Sequence, residues 1–173
     1  WFHINFAPVA DLNSNPKNPV INFRSFGESP TKVSELTMAY ARGMRKVNIM
    51  GSAKHFPGHG DTDVDSHRDL PVLKHSKATL DELDTAPFKK LIQDSISSVM
   101  IGHLYVPALE DSPNTPASVS KKIITDYLKK DLKFDGLVIT DALNMRGLLK
   151  YFPTGEAEVK AFEAGNDLLL QTA

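Results

Sequence analysis

Lys54-His55-Phe56-Pro57-Gly58-His59-Gly60 runs on through Asp61, Asp63 and Asp65 to His67. Three of the chain's six histidines and three aspartates therefore fall between residues 55 and 67, interleaved with glycine, proline and small polar side chains. Burying so many titratable groups together in an apolar core carries a large desolvation cost. A loop that carries them is better read as a site than as scaffold. Two chemistries use these residue types: metal ligation, and proton transfer beside a bound substrate.

Metal ligation fails on spacing. His55 and His59 are separated by Pro57 and Gly58, which prevent the helix that would set both imidazoles on one face. The Asp61, Asp63, Asp65 alternation imitates a calcium loop. That loop needs glycine where Ser66 stands and a bidentate glutamate where Val72 stands. No metal and no organic cofactor is expected.

Carbohydrate hydrolysis accounts for more of the residues. Cleaving a glycoside requires a group that protonates the leaving oxygen and, in a retaining enzyme, a carboxylate that attacks the anomeric carbon. Asp141 ends an apolar run, Leu137 to Thr140, and is placed like a nucleophile on a rigid strand. Asp65 and His67 lie two residues apart, and a carboxylate beside an imidazole stabilises its protonated form for general acid work. Arg24, Lys54 and His55 are cations or donors suited to sugar hydroxyls. Each also has a plain structural reading: solvation for Lys54, a satisfied buried imidazole for His55, an ion pair for Arg24.

The surrounding pattern must position these groups. Short apolar runs alternate with helical periodicity, the signature of a βαβ series. Strands are expected at Ile4 to Val9, Gly51 to Phe56, Ser98 to His103, Leu137 to Asp141 and Asp167 to Leu170. Helices are expected through Val33, Leu36, Tyr40, Met44 and Val47, through Phe88, Leu91 and Ile92, through Ile123 to Leu132, and near Glu156 to Ala164. Thr79-Leu80-Asp81-Glu82 reads as a capping box, with Pro87 separating or kinking the first turn. Asp11, the His55–His67 loop, His103 and Asp141 all follow their apolar runs, and in parallel α/β folds that carboxyl end binds ligands.

With 173 residues, 41% of them hydrophobic, the chain suits one domain. The net charge of −1 is well mixed, which gives no basic surface for nucleic acid. Without cysteine there are neither disulfides nor thiolate metal sites. No apolar run reaches membrane-spanning length and no signal peptide is read. The start at Trp1, directly on a strand-like segment, suggests a piece of something longer.

Several strings occur together in order: Asn5-Phe6-Ala7-Pro8-Val9-Ala10-Asp11, Arg24-Ser25-Phe26-Gly27, Lys54 to Gly60, Asp65-Ser66-His67, and Ile139-Thr140-Asp141-Ala142-Leu143-Asn144-Met145. Together they resemble glycoside hydrolase family 3, in its branch of NagZ-like β-N-acetylglucosaminidases, over essentially the whole chain. The resemblance implies a (β/α)8 TIM-type barrel, with residues 1–173 supplying a partial catalytic domain of about strands three to seven. It also implies that Asp141 is the nucleophile and that Asp65 and His67 are an acid/base dyad. Arg24, Lys54 and His55 are implied to hold an N-acetylglucosamine ring. The implied partner is a terminal β-linked N-acetylglucosaminide, including peptidoglycan fragments in cell-wall recycling, in bacterial cytoplasm or after export.

Two departures are visible. Where many relatives read Ser-Asp-Asp-Leu-Ser-Met, this chain reads Thr140-Asp141-Ala142-Leu143-Asn144-Met145, which keeps the first aspartate and changes its neighbours. A complete barrel takes about 250 residues, so flanking strands and an upstream acidic residue that grips the sugar in relatives are expected outside this sequence, with room for further domains. The fragment alone is expected to be poorly stable or inactive. Two rival functions remain: phosphorolysis, because a histidine dyad tolerates an anionic acceptor, and a non-catalytic carbohydrate-binding remnant.

Overall fold

The computed structural model describes residues 3–62 and 69–171. Asp63, Asp65 and His67 lie outside the described residues. Four parallel strands form one sheet: β1 (Ile4–Asn5), β2 (Met50–Phe56), β3 (Ser98–Ile101) and β4 (Leu137–Thr140). Their spatial order is β1-β2-β3-β4, so sequence neighbours are always sheet neighbours. Parallel neighbours cannot be joined by a tight hairpin, and every connection here is a long crossover carrying helix. A doubly wound sheet reverses its strand order at a switch point, and no reversal occurs among these strands.

The first and last expected strands are shorter than their apolar runs. β1 pairs at Ile4 and Asn5, and the chain touches β2 again only through a Val9–Lys54 bridge. Between them Ala7 and Pro8 lend their carbonyls to Ser52 and Lys54, and the Ala7–Pro8 peptide is cis. Asp167 to Leu170 runs beside β4 but contributes one parallel bridge, Ile139 with Leu168. There the Thr140 hydroxyl accepts the Leu170 N–H, so a side chain replaces a ladder carbonyl.

Helix α1 (Pro30–Arg45) starts where Ser29 caps it, its hydroxyl accepting the Lys32 N–H, with Pro30 in the first turn. Its buried stripe is Val33, Thr37, Ala41 and Met44. Leu36, Tyr40 and Val47, which share the helical spacing, are substantially exposed. The stripe is rotated toward small residues because α1 packs closely on the helix Ala86–Gln93. At the contact's end, Arg42 holds Asp94 with a forked guanidinium.

Before that second helix the chain winds through Lys77–Thr79 and a wider π-type turn, Leu80–Asp84. The cap is Ser76, whose hydroxyl accepts the Thr79 N–H, and not Thr79 as the sequence pattern suggested. The π turn closes with the Thr85 N–H on the Leu80 carbonyl, and Pro87 then opens Ala86–Gln93 as a separate segment. A third crossover, Lys122–Asp131, is also wound in π fashion and ends with the Leu132 N–H on Tyr127. Two short helices, Arg146–Leu149 and Glu156–Ala164, and two 3-10 turns, Asn22–Arg24 and Ala117–Val119, complete the described helical segments.

Ile123, Ile124, Tyr127 and Leu128 pack against Phe56, Phe88, Leu91, Val99, Ile101 and Val138 to make the main core. Phe56 meets Phe88 edge-on, ring centres 5.4 Å apart, and lies 5.9 Å from the Tyr127 ring. The main core sits between sheet and helices, and Asp11, His55, His103 and Asp141 lie at or beyond the carboxyl ends of the strands.

Candidate active site

β2 delivers Lys54 and His55 at its carboxyl end, and the Lys54–His55 and Phe56–Pro57 peptides are both cis. Beyond them the chain must pass very close to its neighbours. A Cβ on Gly60 would lie 1.5 Å from the Leu12 carbonyl oxygen, and one on Gly58, at φ +131°, would lie 2.8 Å from the Asp84 Cβ. Only glycine fits either position.

The hub beneath this turn is Asp11, wholly buried. Its carboxylate accepts the His59 N–H at 2.7 Å, the His55 N–H at 3.0 and 3.1 Å, and the His55 Nδ1–H at 2.8 Å. Burial pushes this carboxyl up, but the His55 ring and the donors around it outweigh burial and hold it below the usual range. Asp11 thus fixes His55 through Nδ1 and leaves Nε2 as the ring nitrogen available to a ligand.

Asn18 closes the turn from the other side. Its amide donates to the His59 and Gly60 carbonyls at 2.7 and 3.1 Å, while its oxygen accepts the Val20 and Ile21 N–H groups, each at 2.8 Å. This buried bridge ties the loop that carries Arg24 to the turn that carries His59. Arg24 is exposed, with its Nε–H on the Val20 carbonyl.

β4 delivers Asp141. Its N–H donates to the Ile101 carbonyl at 2.9 Å and its Oδ1 accepts the Ala142 N–H at 2.8 Å. Burial raises its pKa, yet His55, His103, the Ala142 amide and Lys54 together bring it below the ordinary carboxylate value. Lys54 is lowered by burial and by Arg24 nearby, against the pull of Asp141 and Asp11. Wholly buried His103, at the end of β3, lies 2.9 Å through Nε2 from the Ala142 carbonyl and 2.7 Å through Nδ1 from the Ser118 hydroxyl. It braces the peptide that follows Asp141.

Arg24, Lys54, His55, His59 and Asp141 line one cavity of about 170 Å³, with Phe6, Val20, Met100 and Leu170 as its apolar wall. Four expected site residues, Arg24, Lys54, His55 and Asp141, are therefore brought together. Asp65 and His67 lie outside the described residues. Sequence reasoning missed Asp11 and Asn18 as organisers, and left His59 without a chemical role although it faces the cavity. Burial lowers the His59 pKa, against the pull of Asp11 and Asp141. An ionised carboxylate among cations and donors can stabilise or attack a carbon that gains positive charge while its neighbours grip hydroxyl groups.

A parallel α/β fold with a polar cavity at its strand ends defines a small-molecule enzyme scaffold. The glycosyl hydrolase family 3 N-terminal domain matches residues 2–173, and the chain belongs to that family. A β-hexosaminidase A from Pseudoalteromonas piscicida is 40% identical over 178 residues, covering 97% of this chain and 30% of its own length. A family 3 β-N-acetylglucosaminidase from Paenibacillus sp. str. FPU-7 superposes with a TM-score of 0.96 at 42% identity, over 98% of this chain and 32% of that one. A β-glucoside phosphorylase, BglX, superposes with a TM-score of 0.95 at 30% identity, over 99% of this chain and 32% of that one. The chain therefore spans about a third of the length of these relatives.

Proposed function

We propose that residues 1–173 form part of a (β/α)8 catalytic domain of a retaining β-N-acetylglucosaminidase. The cavity uniting Arg24, Lys54, His55 and Asp141 carries this reading, because it combines a carboxylate held below its usual pKa with cations and donors suited to hydroxyl groups. The unreversed strand order supports an arc of a barrel.

In the first step the Asp141 carboxylate attacks the anomeric carbon and the bond to the leaving oxygen breaks. His67, as an imidazolium stabilised by Asp65, gives that oxygen its proton. In the second step neutral His67 takes a proton from water, whose oxygen attacks the same carbon and releases Asp141. Arg24, Lys54 and His55 hold the ring hydroxyls throughout. Two inversions leave the anomeric configuration unchanged. The first sugar released by the full-length enzyme from an aryl β-N-acetylglucosaminide should therefore be the β-anomer by proton NMR; initial α-anomer contradicts the scheme.

Phosphorolysis is favoured as a second reading by the likeness to the β-glucoside phosphorylase. There phosphate replaces water and needs no base. Turnover in phosphate buffer that yields N-acetylglucosamine 1-phosphate establishes it, whereas free sugar alone, at a rate indifferent to phosphate, establishes hydrolysis.

A further inference from the structure

Outside the cavity, Asp61, His75 and Asp84 form a cluster of titratable groups that the reaction scheme does not use. The His75 ring spans the two carboxylates, with Nε2 2.7 Å from Asp61 Oδ2 and Nδ1 2.6 Å from Asp84 Oδ2. An imidazole with a carboxylate on each nitrogen donates to both only as imidazolium. The place of the cluster gives it meaning. Asp61 directly follows the turn that carries His55 and His59, and residues 62–74 separate it in sequence from His75. Asp84 is 2% exposed and belongs to the π turn whose backbone lies against Gly58. The returning chain is tied again by the Tyr105 N–H on Pro71 and the Leu73 N–H on Tyr105.

We infer that His75 is a positioning residue: charged between Asp61 and Asp84, it fixes where the chain leaves the sugar-binding turn and where it returns. The stretch between those points includes Asp65 and His67. The inference rests on the proposed roles of those two residues, and its consequence is specific. Loss of the clamp should impair proton transfer more than sugar binding, because Arg24, Lys54, His55 and Asp141 are held by other contacts.

Leaving-group dependence measures this. A dinitrophenyl leaving group departs without a proton, a phenyl group needs one, and azide attacks the intermediate without a general base. In the full-length enzyme, His75→Gln is expected to lose roughly 10- to 100-fold in kcat/KM on phenyl β-N-acetylglucosaminide and less than about 3-fold on the dinitrophenyl substrate. Azide should restore its kcat on the dinitrophenyl substrate. His67→Gln in the same assays separates the two levels of the argument. If His67→Gln shows this pattern while His75→Gln loses equally on both substrates, the clamp is overturned and the dyad stands. If His67→Gln itself loses equally on both, the dyad reading fails and the clamp fails with it. Should His75→Gln show no cooperative melting, Asp61→Asn carries the test with the same outcomes, since it keeps the His75–Asp84 contact and changes a partly exposed carboxylate.

Discussion

Asp11 shows how much of a site can rest on a residue that does not line its cavity. Its carboxylate gathers two backbone N–H groups and one ring nitrogen, all from the turn that presents His55 and His59. Removing it leaves those donors buried and unpaired, so Asp11→Ala should cost about 3–5 kcal/mol in urea unfolding of the full-length enzyme. Because its folded pKa lies below the ordinary value near 4, its contribution is present above that value and lost as pH falls through the folded one. The stability gap between wild type and Asp11→Ala should therefore be widest at neutral pH and shrink at pH 3; a gap that grows in acid contradicts the geometry. The sequence made Asp141, Lys54 and His55 legible because polar groups at the ends of apolar strands are exposed to ligand by topology. Asp11 follows a strand-like run in the same way, but nothing local distinguishes a buried hub from a solvated carboxylate. Asn18 sat in an Asn/Pro-rich loop where every side chain reads as a turn former.

At the scale of elements, the close passages at Gly58 and Gly60 explain why the turn after β2 has so little freedom. A methyl group at residue 60 has no room against the Leu12 carbonyl, so Gly60→Ala should destabilise by about 3 kcal/mol or more, read by denaturant midpoint. Unchanged stability would mean that the loop after β1 does not pass there. The Asp61–His75–Asp84 clamp has its own pH signature. Burial lowers the His75 pKa, but its two carboxylate neighbours more than reverse this and the net shift is upward; burial likewise raises Asp84. The folded His75 value lies above the unfolded one, so its contribution is fully present below the unfolded value and fades as pH rises through the folded one. The melting-temperature difference between wild type and His75→Gln should thus be larger at pH 6 than at pH 9, and the reverse order would count against a charged His75. Apolar runs made the strands legible, since buried parallel strands need them on both faces. The helix cap and the fifth strand were less so: Ser76 competes with Thr79 for the same backbone, and at Leu170 a Thr140 hydroxyl does the work of a ladder carbonyl. The buried stripe of α1 was legible in part: Val33 and Met44 are buried as their spacing suggested, while Thr37 and Ala41 take the buried positions between them and Leu36 and Tyr40 do not.

Across the whole molecule, the four-strand sheet has β1 and β4 at its sides, and Phe23, Phe162 and Val159 expose large apolar surface. Relatives carry this region within chains about two to three times as long. On the proposed partial-barrel reading the 173-residue chain by itself should turn over aryl β-N-acetylglucosaminides at less than about 1% of the full-length rate, because an open barrel does not hold strand-end loops to the tolerance catalysis needs. Equal activity would show that the segment is self-sufficient. In the proposed mechanism Asp141 bonds covalently to the sugar. Incubating the full-length enzyme with a fluorinated N-acetylglucosaminyl fluoride, then digesting it and sequencing its peptides by mass spectrometry, tests that most directly. One added fluorosugar is expected on Asp141 and none in Asp141→Ala; a label on another carboxylate, or turnover with no trapped species, rules the nucleophile out.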